Sequence, residues 1–164
     1  MASFDEHLNQ AVKNIRILEQ VNNSINDSWD WQVTIGFYVA LHLANAHLAR
    51  TLDAHYRTHA QVSEAINPYV VLNVAKFEED AFLSYQSLQN LSRRSRYLLN
   101  DKNVSIDPEC AHFTSEKQFA KAIRELEKIL TYFNKVYGYK FLSLKIKCEK
   151  IKSDKLNYFA HLEK

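Results

Sequence analysis

A chain with two glycines and two prolines in 164 residues has little to build tight turns from. Sheet-rich folds depend on those residues at their hairpins, so the shortage favours long helices with few connections. It also removes the common phosphate-cradling loops. Neither G-x-G-x-x-G, nor a P-loop, nor a G-x-S-x-G elbow can be assembled from Gly36 and Gly138 alone. Cysteine is as scarce. Cys110 and Cys148 stand far apart with no C-x-x-C pair, which excludes a disulfide framework and the usual zinc motifs and fits a reducing cytosol. Strong charge of either sign is missing too: the formal net charge is +2 and the pI about 8.4, too mild for a dedicated nucleic-acid coat. No uninterrupted apolar run is long enough for a membrane. The most apolar stretch, Trp29 to Leu52, contains Asp30, Gln32, His42, Asn45 and His47. The opening MASFDEHLNQ has no charged-then-apolar targeting pattern. A cytoplasmic protein without a membrane anchor is expected.

What is present suits a helical core. Hydrophobic residues make up 46% and charged residues 24%, ordinary values for a globular domain. Nine Tyr, nine Phe and two Trp supply large apolar bodies. Ser3 with Glu6 forms a capping box, and Phe4, Leu8, Ala11, Val12, Ile15, Leu18, Val21 and Ile25 repeat at helical spacing. Asn22, Asn23, Asn26 and Asp27 then mark a turn, and Asp27 or Ser28 can cap a central helix running to about Leu52. That helix has no polar side of the usual width, so it belongs inside the domain. Its Gly36, Ala40 and Ala44 stack on one face, where a neighbouring helix can come close.

Thr58 with Gln61 caps a shorter helix that Asn67-Pro68 ends. Tyr69 to Val74 is β-branched and suits an extended segment or a fragment of helix. Residues 77–100 form a fourth helix, opened by the acidic run Glu78, Glu79, Asp80, with Ala81, Tyr85, Leu88, Ser92, Ser95 and Leu99 along its packed face. A polar loop follows from Asn100 to His112. Ser115 with Gln118 caps the last long helix, striped by Phe119, Ile123, Leu126, Leu130, Phe133 and Tyr137 and stopped by Gly138. Beyond it, Leu142, Leu144, Ile146 and Cys148 alternate with polar residues at strand period. Such a strand needs a partner, either residues 69–74 or a second copy of the chain. The tail holds seven lysines against Glu149, Asp154 and Glu163, a formal +4. The fold expected is all-α: an up-and-down bundle of four to five helices over residues 1–138, with a short basic C-terminal extension, a candidate strand, over 139–164.

The chemistry-bearing residues gather at the exit of the central helix. His42 and His47 are five apart, so they point roughly 140° from one another and cannot share a metal. His47 lies on the packing face with Gly36, Ala40 and Ala44; His42 lies with Trp31 and Tyr38. His55 and His59 have the four-residue spacing that one helical face would require, yet no glutamate stands between them, so the H-E-x-x-H zinc reading fails. No metal site and no cofactor is expected. The string His55-Tyr56-Arg57-Thr58-His59 fits metal-free phosphate chemistry, an imidazole to move a proton and a guanidinium to hold a phosphate. A polar helix cap with exposed rings accounts for it equally well. On the fourth helix Arg93 and Arg96 share a side with Gln89 while Arg94 points elsewhere, and Tyr97 is adjacent. Two forks and an aromatic suit a nucleotide or single-stranded RNA; cations favoured by a helix C-terminus are the plain alternative.

WQVTIGFYVALHLANAH (Trp31 to His47), HYRTH (55–59) and SRRSRY (92–97) together resemble bacterial proteins of the HEPN superfamily over about residues 5–137. That resemblance implies an all-α bundle with two long antiparallel helices. Many members are metal-independent RNases in toxin–antitoxin, phage-defence or CRISPR settings, dimeric, with an R-x4-6-H motif from each subunit at a shared cleft. Here Arg50 and His55 have that spacing, though at the end of the central helix rather than near the start of a later one. Other members bind nucleotides or act as helical interaction modules. The expectation is therefore a HEPN-like protein that binds RNA or a nucleotide and acts as a metal-independent endoribonuclease. His55 and His59 would be its acid/base groups, Arg50 and Arg57 its phosphate holders, and His42, Arg93, Arg96 and Tyr97 its binding surface. The alternative is a catalytically silent dimeric interaction module with an antitoxin or defence-system partner.

Overall fold

The computed structural model describes residues 2–97 and 114–163. It is an all-α bundle with a short C-terminal extension. The helices are α1 (Phe4–Ser24), α2 (Trp29–Leu52), α3 (His59–Ala65), α4 (Glu79–Tyr97) and α5 (Glu116–Tyr137). Strands β1 (Leu144–Ile146) and β2 (Phe159–His161) flank a 3-10 turn at Glu149–Ile151. The polar stretch from Asn100 to His112, with Leu99, Pro108 and Cys110, lies outside the described residues.

The helix ends follow the local chemistry. Ser3 Oγ accepts the Glu6 amide at 3.2 Å while the Ser3 amide donates to the Glu6 carboxylate at 2.8 Å, a complete capping box. Thr58 Oγ1 accepts the Gln61 amide at 3.2 Å, and the Ser115 amide donates to Gln118 at 3.0 Å. Gly138 ends α5 with φ 67°, a conformation that costs glycine nothing. Ser28 stands at the N-cap of α2, but its hydroxyl donates to the Ile25 carbonyl at 3.1 Å rather than capping the helix.

Side-chain pairs fix the directions. His7 meets His42 and Asn22 meets Gln32, so α1 and α2 run antiparallel. His47 packs on Phe77 and Phe37 on Tyr85, so α4 runs back along α2. Ser84 reaches Glu125 and Lys135 reaches Glu78, which sets α5 antiparallel to α4. The result is up-and-down, with α2 in contact with α1, α4 and α5. Its Val33, Phe37, Ala40, Leu43, Ala44 and Leu48 are fully buried. Each large apolar side chain so buried contributes about 1.5–3 kcal/mol, which is why an all-round apolar sequence is held inside. Among the described residues no helix is long and apolar enough to cross a membrane.

The strand in the tail is real, but its partner is neither residues 69–74 nor a second copy. β1 pairs in parallel with β2 of the same tail, Leu144 opposite Phe159 and Ile146 opposite His161. The other edge of β1 is closed by α1. Glu19 accepts the Lys145 amide at 2.8 Å, Asn22 accepts the Lys147 amide at 2.6 Å, and Asn23 donates to the Lys145 carbonyl at 3.1 Å. Side chains thus supply the hydrogen bonds that a further strand would have made. Residues 69–74 form turns instead, tied down by the Asn73 amide to the Ala65 carbonyl at 2.7 Å and by Tyr69 to Glu79 at 2.6 Å. The tail also packs: Phe141, Leu144, Ile146, Ile151 and Phe159 join the core. Buried Glu127 on α5 accepts the amides of Asn157 at 2.7 Å and Tyr158 at 3.0 Å, which locks the tail to the bundle.

Candidate functional site

The two histidine groups named from sequence separate in space. α3 begins at His59 and His55 precedes it, so the two imidazoles do not share a helical face. His59 turns toward α2, its ring 5.2 Å from Phe37 and 6.3 Å from Tyr38. On its other side opens a groove of about 640 Å³ between α3 and α4, lined by His59, Ser63, Glu64, Gln89, Arg93, Arg96 and Tyr97 among others. That volume falls within the ~300–1,000 Å³ of small-ligand sites. Four residues singled out from sequence, His59, Arg93, Arg96 and Tyr97, therefore meet in one place. Arg94 does not line it, as the helical angle required.

Arg96 is held for its position. Its Nε donates to the Ser92 carbonyl at 3.3 Å, and its guanidinium carbon lies 5.2 Å from the Tyr97 ring centre. Among the described residues nothing engages its terminal nitrogens, which can fork onto a phosphate. Arg93 is exposed at the groove wall. The pKa of His59 is lowered, first by burial and then by the positive charge of Arg96. At neutral pH its imidazole is uncharged and can accept a proton. Among the described residues neither of its ring nitrogens is hydrogen-bonded.

His42 and His55 lie elsewhere, together with a residue the sequence analysis did not name. His7 of α1 is 4% exposed, and both its nitrogens meet other imidazoles: Nδ1 is 3.3 Å from His42 Nδ1, and Nε2 is 3.0 Å from His55 Nδ1. A neutral imidazole carries one N–H, so His7 donates along one contact and accepts along the other. Its pKa falls to about 4, chiefly through burial and then through the charges its neighbours would carry, with Glu6 opposing. Arg50 stacks over Phe4 at 5.6 Å. Arg50 and His55 thus both pack against the first turn of α1 and do not line the groove; Arg57 is exposed on the connecting loop. Among the described residues no set of three His, Cys, Asp or Glu side chains is arranged to hold a metal. His47 is a core residue, Nε2 3.0 Å from the Ala75 carbonyl and Nδ1 2.7 Å from the Tyr137 hydroxyl.

No family model, curated protein or solved structure matches the chain. His7 was legible in one respect: it sits on the α1 stripe with Ala11, Leu18 and Asn22, a core position carrying a titratable group. Gln89 follows from helical angle, on the side of α4 that carries Arg93 and Arg96; Ser63 and Glu64 carry no signal of their own in sequence, and only the packing of α3 along α4 brings them in.

Proposed function

We propose that the chain is a HEPN-like helical bundle that binds single-stranded RNA or a nucleotide in the groove between α3 and α4 and cleaves RNA there without a metal. The observation that carries this is the meeting of an uncharged imidazole, two guanidinium groups and an exposed tyrosine around one opening. Arg93 and Arg96 hold a phosphate by forked contacts, and Tyr97 offers a face for a base. His59 takes the proton of the 2′-hydroxyl as that oxygen attacks the adjacent phosphorus; the P–O5′ bond breaks as the 2′,3′-cyclic phosphate closes, and the departing 5′-oxygen takes a proton from water. The guanidinium groups stabilise the extra negative charge on the pentacovalent phosphate. Arg50 and His55, which have the spacing of the HEPN ribonuclease motif, hold α1 against the α2–α3 connection in this reading. The protein acts in the cytoplasm as a homodimer, with an antitoxin or defence-system component as its partner.

The test is incubation of the purified chain with mixed single-stranded RNA in EDTA, beside a His59→Ala variant. Cleavage by the parent that the variant loses is the expected result. No cleavage by either, or equal cleavage by both, removes the enzymatic reading. Mass in solution tests the dimer against the 19.2 kDa of one chain.

A second reading, a catalytically silent interaction module, draws on a different surface. Val71 and Leu72 are each 90% exposed and Val74 81% exposed, in the turns between α3 and α4. Isolated exposed apolar residues are ordinary, but a run of them often marks contact with another protein.

A further inference from the structure

The side of α2 that meets His59 through Tyr38 runs on along the helix. Trp31, Ile35, Tyr38 and His42 recur at spacings of four, three and four and so share one side of the helix. Tyr38 on that side lies edge-on to His59 at 6.3 Å. Trp31 stands two turns earlier, about 10 Å along the axis, and is 64% exposed. The direction of α4 brings its cationic end to the same region. Phe77 lies level with His47 and Tyr85 level with Phe37, so the residues after Tyr85, Arg93 and Arg96 among them, run toward the Trp31 end of α2. The neighbouring tryptophan behaves differently, since Trp29 packs its ring 5.3 Å from Phe119 and is spoken for by the core. Trp31 is an indole left in solvent on the side of α2 that carries Tyr38, toward the end of the helix to which Arg93 and Arg96 of α4 run.

We propose that Trp31 is a second base-stacking platform, so that the site takes a single strand of several nucleotides rather than a lone nucleotide. This rests on the nucleotide-binding reading of the α3–α4 groove. One phosphate and base sit on Arg93, Arg96 and Tyr97, and the strand passes Tyr38 to lay a further base on the Trp31 indole. Stacking needs only an accessible π face, so this platform is tolerant of sequence, and its contribution adds to the phosphate contacts. Duplex RNA is excluded because its bases are already stacked on each other.

The experiment measures binding of adenosine monophosphate and of a 2′-O-methyl oligoadenylate hexamer, which cannot be cleaved, to the parent chain and to Trp31→Ala, Trp31→Phe and Arg96→Ala variants. Trp31→Ala is expected to weaken the hexamer roughly tenfold or more and leave the mononucleotide unchanged; Trp31→Phe should restore most of the loss. Tryptophan emission of the parent should be quenched by the hexamer and hardly by the mononucleotide. Arg96→Ala should weaken both ligands. If Trp31→Ala binds the hexamer as the parent does while Arg96→Ala loses both, the platform is wrong and the groove stands. If Trp31→Ala weakens both ligands equally, the residue serves the groove's structure and the platform is likewise wrong. If the parent binds neither ligand, the nucleotide-binding reading falls and takes the platform with it.

Discussion

Two histidine sites lie on the same helix face and behave oppositely. At His59 an imidazole shares an open groove with Arg93 and Arg96, and its pKa is depressed by burial and by a cation. At His7 an imidazole is enclosed, and its depressed pKa comes from burial and from two further imidazoles. Both are uncharged at neutral pH, so charge state does not distinguish them. Free valence does. His7 has spent both nitrogens on His42 and His55, whereas among the described residues His59 has spent neither. A depressed pKa is compatible with proton transfer or with plain packing, and the hydrogen-bond partners decide which.

The largest effect that could break this comparison is on catalysis. His59→Ala should lower RNA cleavage about 10²–10⁴-fold, the range for loss of a general base, while His7→Leu should leave the rate of the folded protein unchanged. Cleavage rates of both variants, measured well below their unfolding temperatures, check this; a rate loss in His7→Leu comparable to that in His59→Ala would reverse the assignment of roles.

Acid should separate the two next. His7 titrates at about 4 in the fold, against 6.5 for an unperturbed imidazole. As pH falls the unfolded chain therefore takes up this proton first. The stability tied to His7 is complete above about pH 6.5 and is lost progressively between about 6.5 and 4, amounting to about 3 kcal/mol. His42 and His47 shift in the same direction, both chiefly by burial, and add to the slope. Urea unfolding at pH 7 and pH 4.5 measures the loss, and His7→Leu should flatten it. An equal slope in parent and variant would show that the imidazole chain is not the acid-sensitive element.

Helix positions, caps and the central place of α2 could be read from the sequence because they depend on local spacing and on composition. Ser3 with Glu6, Thr58 with Gln61 and Ser115 with Gln118 each specify a helix start within four residues. The partner of β1 could not be read that way. A strand pattern states that one face is buried but not what lies along the edge, and here Glu19, Asn22 and Asn23 fill one edge from a distant helix. The groove was legible in part. The turn of α4 that aims Arg93 and Arg96 to one side follows from helical angle, but their meeting with His59 depends on how α3 lies along α4. The place of His7 could not be read from spacing alone, since a histidine on an apolar stripe breaks the pattern by polarity, and only the packing of α1 on α2 shows that other imidazoles satisfy it.

The guanidinium geometry allows a narrower test. Arg96 is anchored through Nε to Ser92 and lies over Tyr97, so a lysine would keep the charge and lose both the fork and the anchor. Arg96→Lys should weaken binding of the oligoadenylate hexamer about tenfold, an effect that only a shaped contact would give. If Arg96→Lys binds as the parent does, the groove acts by charge alone and its contrast with the imidazole chain narrows to electrostatics.

The smallest expected change falls between the two sites. Gly36 sits one residue before Phe37, whose ring touches His59, and six before His42. The sequence suggested that a glycine here lets a helix approach closely, yet a methyl group at Gly36 would meet its nearest neighbour, Leu126 Cδ2 of α5, at 3.9 Å, an ordinary contact. The space is available, and alanine is the better helix former. Gly36→Ala should therefore raise stability by about 0.5–1 kcal/mol, seen as a higher urea midpoint with an unchanged slope. Because α2 touches a residue of each site, His59 through Phe37 and His7 through His42, the same variant also tests whether they are independent. Unchanged hexamer binding and an unchanged acid profile would mean that stiffening the shared helix alters neither site, and that each is set by its own side-chain partners. A stabilised variant with altered binding would mean instead that the groove depends on flexibility in the middle of α2, and the two histidine sites would have to be treated as one coupled unit.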